Sequence, residues 1–412
     1  MIYDLIVIGA GPGGSTAAKV AADGGANVLL LEAADEGRYK CCAGGIPVSN
    51  EVFSEIPHGI GDREITGGVL VTPQKEIMEF KATGEKNRGY CMFRTDFDKF
   101  LVDIARDAGS QVRYDFFVKA IEKSKSEVIL RGPEEYRARC VIIATGLGGA
   151  KLQRQIGIEV PTSINAIQAE FAIPESSIDE EFGNRIWEFF GYTSVDHGLA
   201  WAFPKIDAVS IGILGKSLKM RDFEEFLNNP IIKNKIENRK MIEFEGRKIW
   251  AALIPDHLIS KPYSDRIMVI GDACGTADPI LYEGIYQARL SGKLAAIVFS
   301  GALEQDDFGE ESLSQYYNLL LKLLYEEELR YTYKIHHLLF HSGLLGSIIN
   351  ASYAIAQDDQ EMMQSLTAMF SGSQTRKHIW RVMMSKKWKL MKQLGIRNSL
   401  RLIPPFIRSS SI

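Results

Sequence analysis

The stretch IYDLIVIGAGPGGSTAAKVAADGGANVLLLE, residues 2–32, decides the fold. Leu5 to Ile8 is an unbroken apolar run, Gly9 to Gly14 a glycine turn, Ser15 to Ala22 an alanine-rich stretch suited to a helix, and Val28 to Leu31 a second apolar run. That order is a βαβ unit. Because the runs are continuous rather than alternating, the strands are expected to be parallel and covered on both faces, and the short connections predict a doubly wound sheet. Gly9, Gly11 and Gly14 form G-x-G-x-x-G between strand and helix, with Gly13 inside the motif. This spacing permits a tight turn, close approach of backbone N–H groups to a pyrophosphate, and tight helix packing. Glu32 ends the second strand eighteen residues past Gly14, where a carboxylate can accept hydrogen bonds from a ribose diol. A dinucleotide is expected at the helix N-terminus, which favours the anion.

The rest of the chain bounds what surrounds this unit. At roughly 150 residues per domain, 412 residues predict two or three packed units. Apolar residues at 46% and charged residues at 24% exclude a disordered, collagen-like or coiled-coil protein. With 48 basic and 52 acidic residues the net charge is −4, which excludes whole-molecule attraction to nucleic acid. The five cysteines (Cys41, Cys42, Cys91, Cys140 and Cys274) are odd in number and lack zinc spacing, so a reduced cytosolic compartment and no metal site are expected. Met1 runs directly into a strand, so no signal peptide or transit sequence is expected.

Texture along the chain predicts a discontinuous nucleotide domain from residues 1–50, 86–158 and 262–304. Asp96 to Ala108 reads as helix, Cys140 to Ala144 as a strand ending in Thr145 and Gly146, and Arg266 to Ile270 as a strand followed by Gly271, Asp272 and a helix. Residues 51–85 and 159–261 alternate, as in Gly67 to Thr72 and Val209 to Leu214, and predict an antiparallel substrate domain. Residues 305–412 read as a third, helical region.

The far end of the nucleotide domain carries a more specific signal. RIMVIGDACGTADP at 266–279, followed by YEGIYQARLSG at 282–292, resembles the second flavin motif of the glutathione-reductase-like FAD proteins of the hydroxylase type. On that resemblance the fold is α/β with an FAD-binding Rossmann domain and the cofactor is FAD. Asp272 would hold the ribityl or phosphate part, and the N–H groups of Gly284 and Ile285 would face the pyrimidine side of the flavin. Three further motifs are similar to the geranylgeranyl reductase family, which includes lipid-acting and chlorophyll-pathway enzymes. They are KCCAGGIP at 40–47, FRTDFDKFL at 93–101 and LAWAFPK at 199–205. The chain departs from the family at Leu199, where a tyrosine is usual, and at Tyr282, where a small residue is usual. Ala144-Thr145-Gly146 replaces the Ala-Asp-Gly of many flavin hydroxylases.

The resemblance implies that FAD contacts Gly9, Gly11, Gly13, Gly14, Glu32, Cys42, Ala43, Gly45, Arg94, Val118, Gly146, Asp272, Gly284 and Ile285. It implies a prenyl tunnel lined by Trp201, Phe203 and Pro204, with Trp187, Phe189 and Phe190 read as ordinary sheet core. The implied reaction is hydrogenation of isolated C=C bonds of geranylgeranyl chains, most naturally on archaeal-type membrane ether-lipid precursors, with Cys42 and Tyr282 as the candidate proton-bearing catalytic groups. The expected partners are a prenylated lipid, an external electron donor (reduced ferredoxin, NAD(P)H or similar) and a membrane surface. The expected location is cytoplasmic, peripheral on the inner face of the cell membrane. Rival readings are the chlorophyll side-chain reductase type, a flavin monooxygenase of the same fold, and a non-catalytic electron relay.

The tail fits the membrane expectation. After Glu361 no acidic residue occurs. Arg376, Lys377, Arg381, Lys386, Lys387, Lys389, Lys392, Arg397, Arg401 and Arg408 are basic, while Trp380, Met384, Trp388 and Met391 recur at helical spacing. Ile335 to Ala356 lacks formal charge, but His336, His337, His341, Ser342, Ser347, Asn350 and Ser352 predict a buried or interfacial helix rather than a span.

Overall fold

The computed structural model describes residues 1–47, 56–57, 60–72, 74–81, 89–191 and 198–410, with side chains through Leu402. The chain divides into two compact units, Met1–Lys40 with Arg94–Ser163 and Ile254–Glu326, and Cys41–Phe93 with Ile164–Leu253 and Glu327–Ile412.

The first unit is built on a parallel sheet in the order Ile267–Val269, Glu135–Ile143, Ile2–Ile8, Val28–Leu31, Gln111–Arg113. Leu5 to Val7, Leu30, Leu31, Cys140 to Ile143 and Ile267 to Ile270 are fully buried, as expected for runs covered on both faces. A hairpin of Ala120–Lys123 and Val128–Arg131 extends the sheet antiparallel to Glu135–Ile143. The first helix, Pro12–Asp23, has Pro at its first turn and buries Ala17, Ala18 and Ala21. Small residues let the helix Ile285–Gln305 approach closely: a Cβ on Gly292 would lie 2.2 Å from the Gly13 carbonyl oxygen. The helix Arg94–Asp107 packs against Pro12–Asp23 as well.

The second unit holds a sheet in the order Lys240–Met241, Ser163–Ala172, Ala208–Gly215, Leu199–Pro204, Arg185–Phe190, Gly67–Val71, Ile77–Lys81, with Ile249–Pro255 also paired to Ser163–Ala172. Arg185–Phe190 and Gly67–Val71 pair in parallel, while the other described registers in this sheet are antiparallel. One face is apolar: Val69, Val71, Ile167, Ala169, Phe171, Trp187, Phe189, Ala200, Ala202, Val209, Ile211 and Ile213 pack against Ile178, Phe223, Phe226 and Ile232 of three short helices. Trp187 and Phe189 therefore belong to the core, as the sequence suggests.

The unit boundaries differ from those drawn on texture. Gly45–Pro47 pairs antiparallel with Gly89–Cys91, which also pairs with Arg63–Ile65, so the chain leaves the first unit at residue 40 rather than near 50. Nor is the tail a third body. Residues up to Glu326 group with the first unit and those from Glu327 with the second, where Phe80 meets Tyr353 and Phe370 at ring-centroid distances of 5.6 and 5.5 Å. The uncharged stretch Ile335 to Ala356 is two helices, Arg330–His341 and Leu345–Asp358, with a 117° bend between them. Among the described residues no single helix is long and apolar enough to cross a membrane, although the bent pair of Glu310–His341 and Leu345–Asp358 passes on length and composition.

The expected Trp380 to Met391 stripe is also divided. The helix Arg376–Ser385 ends before Lys387–Ser410 begins, and the latter kinks at Gly395. Trp380 is buried against its own unit, whereas Trp388 is 71% exposed. The side chain of Arg408 lies outside the described residues.

Candidate functional site: a dinucleotide cradle and a thiol-bearing strand face

In the first unit the glycine turn is shaped by what its neighbours exclude. Gly9 has φ +106°, and a Cβ there would sit 2.5 Å from the Ala144 carbonyl oxygen; a Cβ on Gly14 would sit 1.9 Å from the carbonyl oxygen of Gly9. A Cβ on Gly13 would lie 2.9 Å from the Ala288 oxygen. At Gly11 a Cβ would meet nothing within 4 Å. Three glycines are therefore needed by the protein itself, and the fourth leaves open space at the N-terminus of Pro12–Asp23, whose first-turn N–H groups have no intrahelical acceptors. This is the cradle a pyrophosphate requires.

Glu32 is buried and fixed, its carboxylate accepting the Ala10 amide at 2.8 Å and the Ala34 amide at 3.2 Å. Arg38 lies 3.5 Å from Glu32 and donates to Asp98 at 3.1 Å, and Asp98 in turn accepts from Nε and Nη2 of Arg94 at 2.8 and 2.9 Å. Ala10, Glu32, Arg38, Thr95, Asp98 and Val102 line a shallow cavity at this end. Arg94 thus acts in a charge network beside Glu32, the acid that the sequence marks for a ribose. Val118 is buried two residues beyond Phe116, whose N–H donates to the Glu32 carbonyl at 2.9 Å.

Asp272 and the start of Ile285–Gln305 belong to the same unit, the helix meeting the glycine turn where Ala288 faces Gly13. A Cβ on Gly284, the residue preceding that helix, would lie 3.1 Å from the Asp272 carboxylate. Burial pushes the Asp272 carboxyl above the usual range, and Lys40 and Arg94 pull it back. Ile285 is buried at the first helical turn, and Gly146 turns with φ +56° just after the strand Glu135–Ile143. Tyr282 adopts φ +55°, a left-handed conformation rare for an aromatic residue. Burial, with smaller contributions from Asp256 and Asp278, pushes its hydroxyl well up, so the group stays protonated through the physiological range. The carboxylates of Glu32 and Asp272 and the open space at Gly11 fit a dinucleotide such as FAD.

In the second unit the face of the sheet opposite the apolar core has a different chemistry. Cross-strand register places Gln168, Gly212, Trp201, Glu188 and Leu70 in one row, and Glu170, Ser210 and Phe203 in the next. Trp201 lies over Gly212, where a Cβ would come within 2.2 Å of the indole. The Trp201 N–H is buried and has no acceptor among the described residues. Phe203 packs on the backbone of Gly45, where a Cβ would lie 2.8 Å from the ring, and Pro204 is buried at the strand end. The structure therefore brings the Cys42 to Gly45 segment and the Leu199 to Pro204 motif together. Leu70, Met78 and Phe80 continue this face towards the tail helices.

The five thiols separate by environment. Cys91, Cys140 and Cys274 are buried, and burial pushes each up to about 12. Cys41 and Cys42 are partly exposed, with Cys41 Sγ 4.0 Å from the Trp250 carbonyl oxygen.

Sequence reasoning missed Arg38, Asp98, Glu188 and the buried group Gln168, Glu170, Lys205 and Ser210. Lys205 follows the Phe-Pro pair directly, yet only the strand register shows which residues share its face.

The family profile of FAD dependent oxidoreductases matches residues 4–202. The chain is 33% identical over 328 residues to the digeranylgeranylglycerophospholipid reductase of Methanocaldococcus jannaschii, covering 76% of this chain and 81% of that one. It is also 33% identical to the enzyme of the same name from Methanosarcina acetivorans, over 77% and 79% of the two chains. Among solved structures, a geranylgeranyl bacteriochlorophyll reductase-like protein from Thermoplasma acidophilum shares the fold, with TM-score 0.72, 23% identity, and coverage of 95% of this chain and 98% of that one. With the cradle, the late carboxylate and this level of identity in hand, the chain belongs to the digeranylgeranylglycerophospholipid reductase family of FAD-dependent oxidoreductases.

Proposed function

We propose that this oxidoreductase saturates isolated C=C bonds of geranylgeranyl chains carried by membrane ether-lipid precursors. The observation that carries the reading is the second sheet face, where Trp201 and Phe203 stand beside a partly exposed thiol segment at Cys42. An isolated alkene offers no carbonyl to polarise, so the protein supplies position, exclusion of water and a proton. FAD held by the residues named below, carrying two electrons from an external donor, would supply the hydride for one alkene carbon. The other carbon takes a proton, and Cys42 Sγ is the group that holds it, to be replaced from solvent. Tyr282, protonated at all physiological pH, is the second proton-bearing group. Gly9, Gly11, Gly13, Gly14, Glu32, Arg94, Val118, Gly146, Asp272, Gly284 and Ile285, with the backbone of Cys42, Ala43 and Gly45, make up the proposed cofactor contacts.

The substrate enters from a bilayer. Exposing a twenty-carbon chain to water costs on the order of 16 kcal/mol at about 0.8 kcal/mol per carbon, whereas transfer from lipid to an apolar channel is nearly neutral. The helix Lys387–Ser410 offers the docking surface. Trp388, Ile396 and Leu400 are 71%, 84% and 60% exposed, and Lys387, Lys389, Lys392, Arg397 and Arg401 are exposed with them. Exposed apolar side chains among cations suit an anionic membrane face.

Anaerobically reduced holoenzyme incubated with digeranylgeranyl lipid in vesicles tests the reading. The lipid should gain mass in steps of two hydrogens. No gain with any prenyl substrate, together with oxygen-dependent turnover, would overturn it.

A further inference from the structure

A fully buried ion pair is rarely kept for stability, because an apolar replacement of similar volume is often as good. This chain keeps one beneath its thiol segment. Lys205 is 0% exposed and Glu170 is 2% exposed, and they lie 3.3 Å apart. The Glu170 carboxylate is a hub: Gln168 donates to Oε1 at 2.9 Å, and Ser210 and Lys205 donate to Oε2 at 2.6 and 3.3 Å. Lys205 also donates to the Ser210 hydroxyl.

The remaining donors of this cluster point one way. Gln168 Nε2 reaches the Cys42 carbonyl oxygen at 3.2 Å, and Lys205 Nζ reaches the Ala43 carbonyl oxygen at 3.4 Å. Two successive backbone carbonyls, those of the candidate thiol residue and its neighbour, are each held by a buried side chain, and both side chains are anchored on one carboxylate. The next residue is pinned too. Gly44 adopts φ +79° and its carbonyl accepts the Met92 amide at 3.1 Å, while a Cβ on Gly44 would come within 2.0 Å of the Met92 oxygen. The Lys205 ammonium lies 4.6 Å from the Phe93 ring centre, which closes the pocket around it.

We infer that Lys205 and Gln168, fixed by Glu170 and Ser210, are positioning residues that hold the Cys42–Ala43 backbone and so fix where the Cys42 thiol is presented. The inference deepens the proposed function and rests on its assignment of Cys42 to the reacting alkene. The charge of Lys205 is kept because an ammonium bonds the hydroxyl, the carboxylate and the backbone carbonyl at once, which no apolar side chain can do. Lys205 touches neither substrate nor cofactor in this scheme.

The test uses holoenzyme in a Cys41→Ser background, with Lys205→Met and Gln168→Met as separate variants. Gln168→Met removes a neutral group and keeps the ion pair, so it serves if Lys205→Met fails to fold. Folded variants should keep bound FAD, hold KM within about twofold and lose about tenfold to a hundredfold in kcat, as expected when a reacting group is misplaced. Alkylation of Cys42 by iodoacetamide, located by peptide mass spectrometry, should accelerate by about fivefold or more as the segment loosens. Adding Cys42→Ala should abolish the effect of either variant on kcat. Alkylation at the parental rate in a folded variant would overturn the positioning role whatever the chemistry of the thiol. Accelerated alkylation with full activity in Cys42→Ala would leave the positioning role standing and remove the catalytic role of Cys42 instead.

Discussion

Glu32 accepts a hydrogen bond from the Ala10 amide at 2.8 Å. The acid at the end of the second strand is thereby locked to the glycine turn at the end of the first, and the spacing between the two proposed contacts, for ribose and for pyrophosphate, is set before any cofactor arrives. Arg38, Asp98 and Arg94 extend this rigid set. Preorganisation of this kind lowers the ordering cost of binding a long, flexible dinucleotide.

The glycines should respond unequally. Gly11→Ala meets no protein atom and keeps an ordinary φ of −73°, so it should fold with an unchanged melting temperature while weakening FAD about tenfold to a hundredfold, the equivalent of one lost charge-assisted hydrogen bond. Gly14→Ala clashes with backbone and should lose folded protein. Flavin content and thermal unfolding of the two purified variants distinguish these outcomes.

Cys42→Ala should retain yellow FAD and lose about a hundredfold in alkene reduction, the contribution typical of a positioned proton donor. Steady-state turnover with a prenyl lipid checks this, and unaltered turnover reduces the thiol to packing.

Asp359 precedes the helix Gln360–Ser371, accepts the Met362 amide at 3.3 Å and receives Lys386 and Lys389 at 3.0 and 3.1 Å. These bonds hold its carboxyl at about 2, below the usual value of 3.8. A depressed carboxylate contributes stability that is complete above 3.8 and lost as pH falls towards about 2. Asp359→Asn keeps the helix cap but not the charge. Its deficit in urea unfolding should be constant from neutral pH down to weakly acidic conditions and shrink below that.

Replacing Trp388, Ile396 and Leu400 together by serine should leave activity on detergent-dispersed lipid intact and weaken binding to anionic vesicles by about tenfold or more. Co-sedimentation measures it. Binding equal to the parent would remove this helix as the docking surface.

The cradle was legible in the sequence because its determinants are local: an apolar strand, glycines at fixed spacing, an acid closing the next strand. The face that carries Trp201 was not, because side chains such as Gln168 and Lys205 meet the Cys42 segment only through strand register set by residues more than a hundred positions away. The boundary near residue 40 was missed for the same reason, since the partner of Gly45–Pro47 is Gly89–Cys91. In the tail, helical spacing correctly marked apolar positions, but the break between Ser385 and Lys387 assigned Trp380 to the core and Trp388 to the surface.

The most direct measurement is a single turnover without oxygen: reduced holoenzyme is mixed with digeranylgeranyl lipid while flavin absorbance is followed. The yellow colour should return while air is still excluded and in proportion to the double bonds saturated. Flavin that stays bleached until air is admitted, with the lipid unchanged, would contradict the assignment of this fold to alkene reduction.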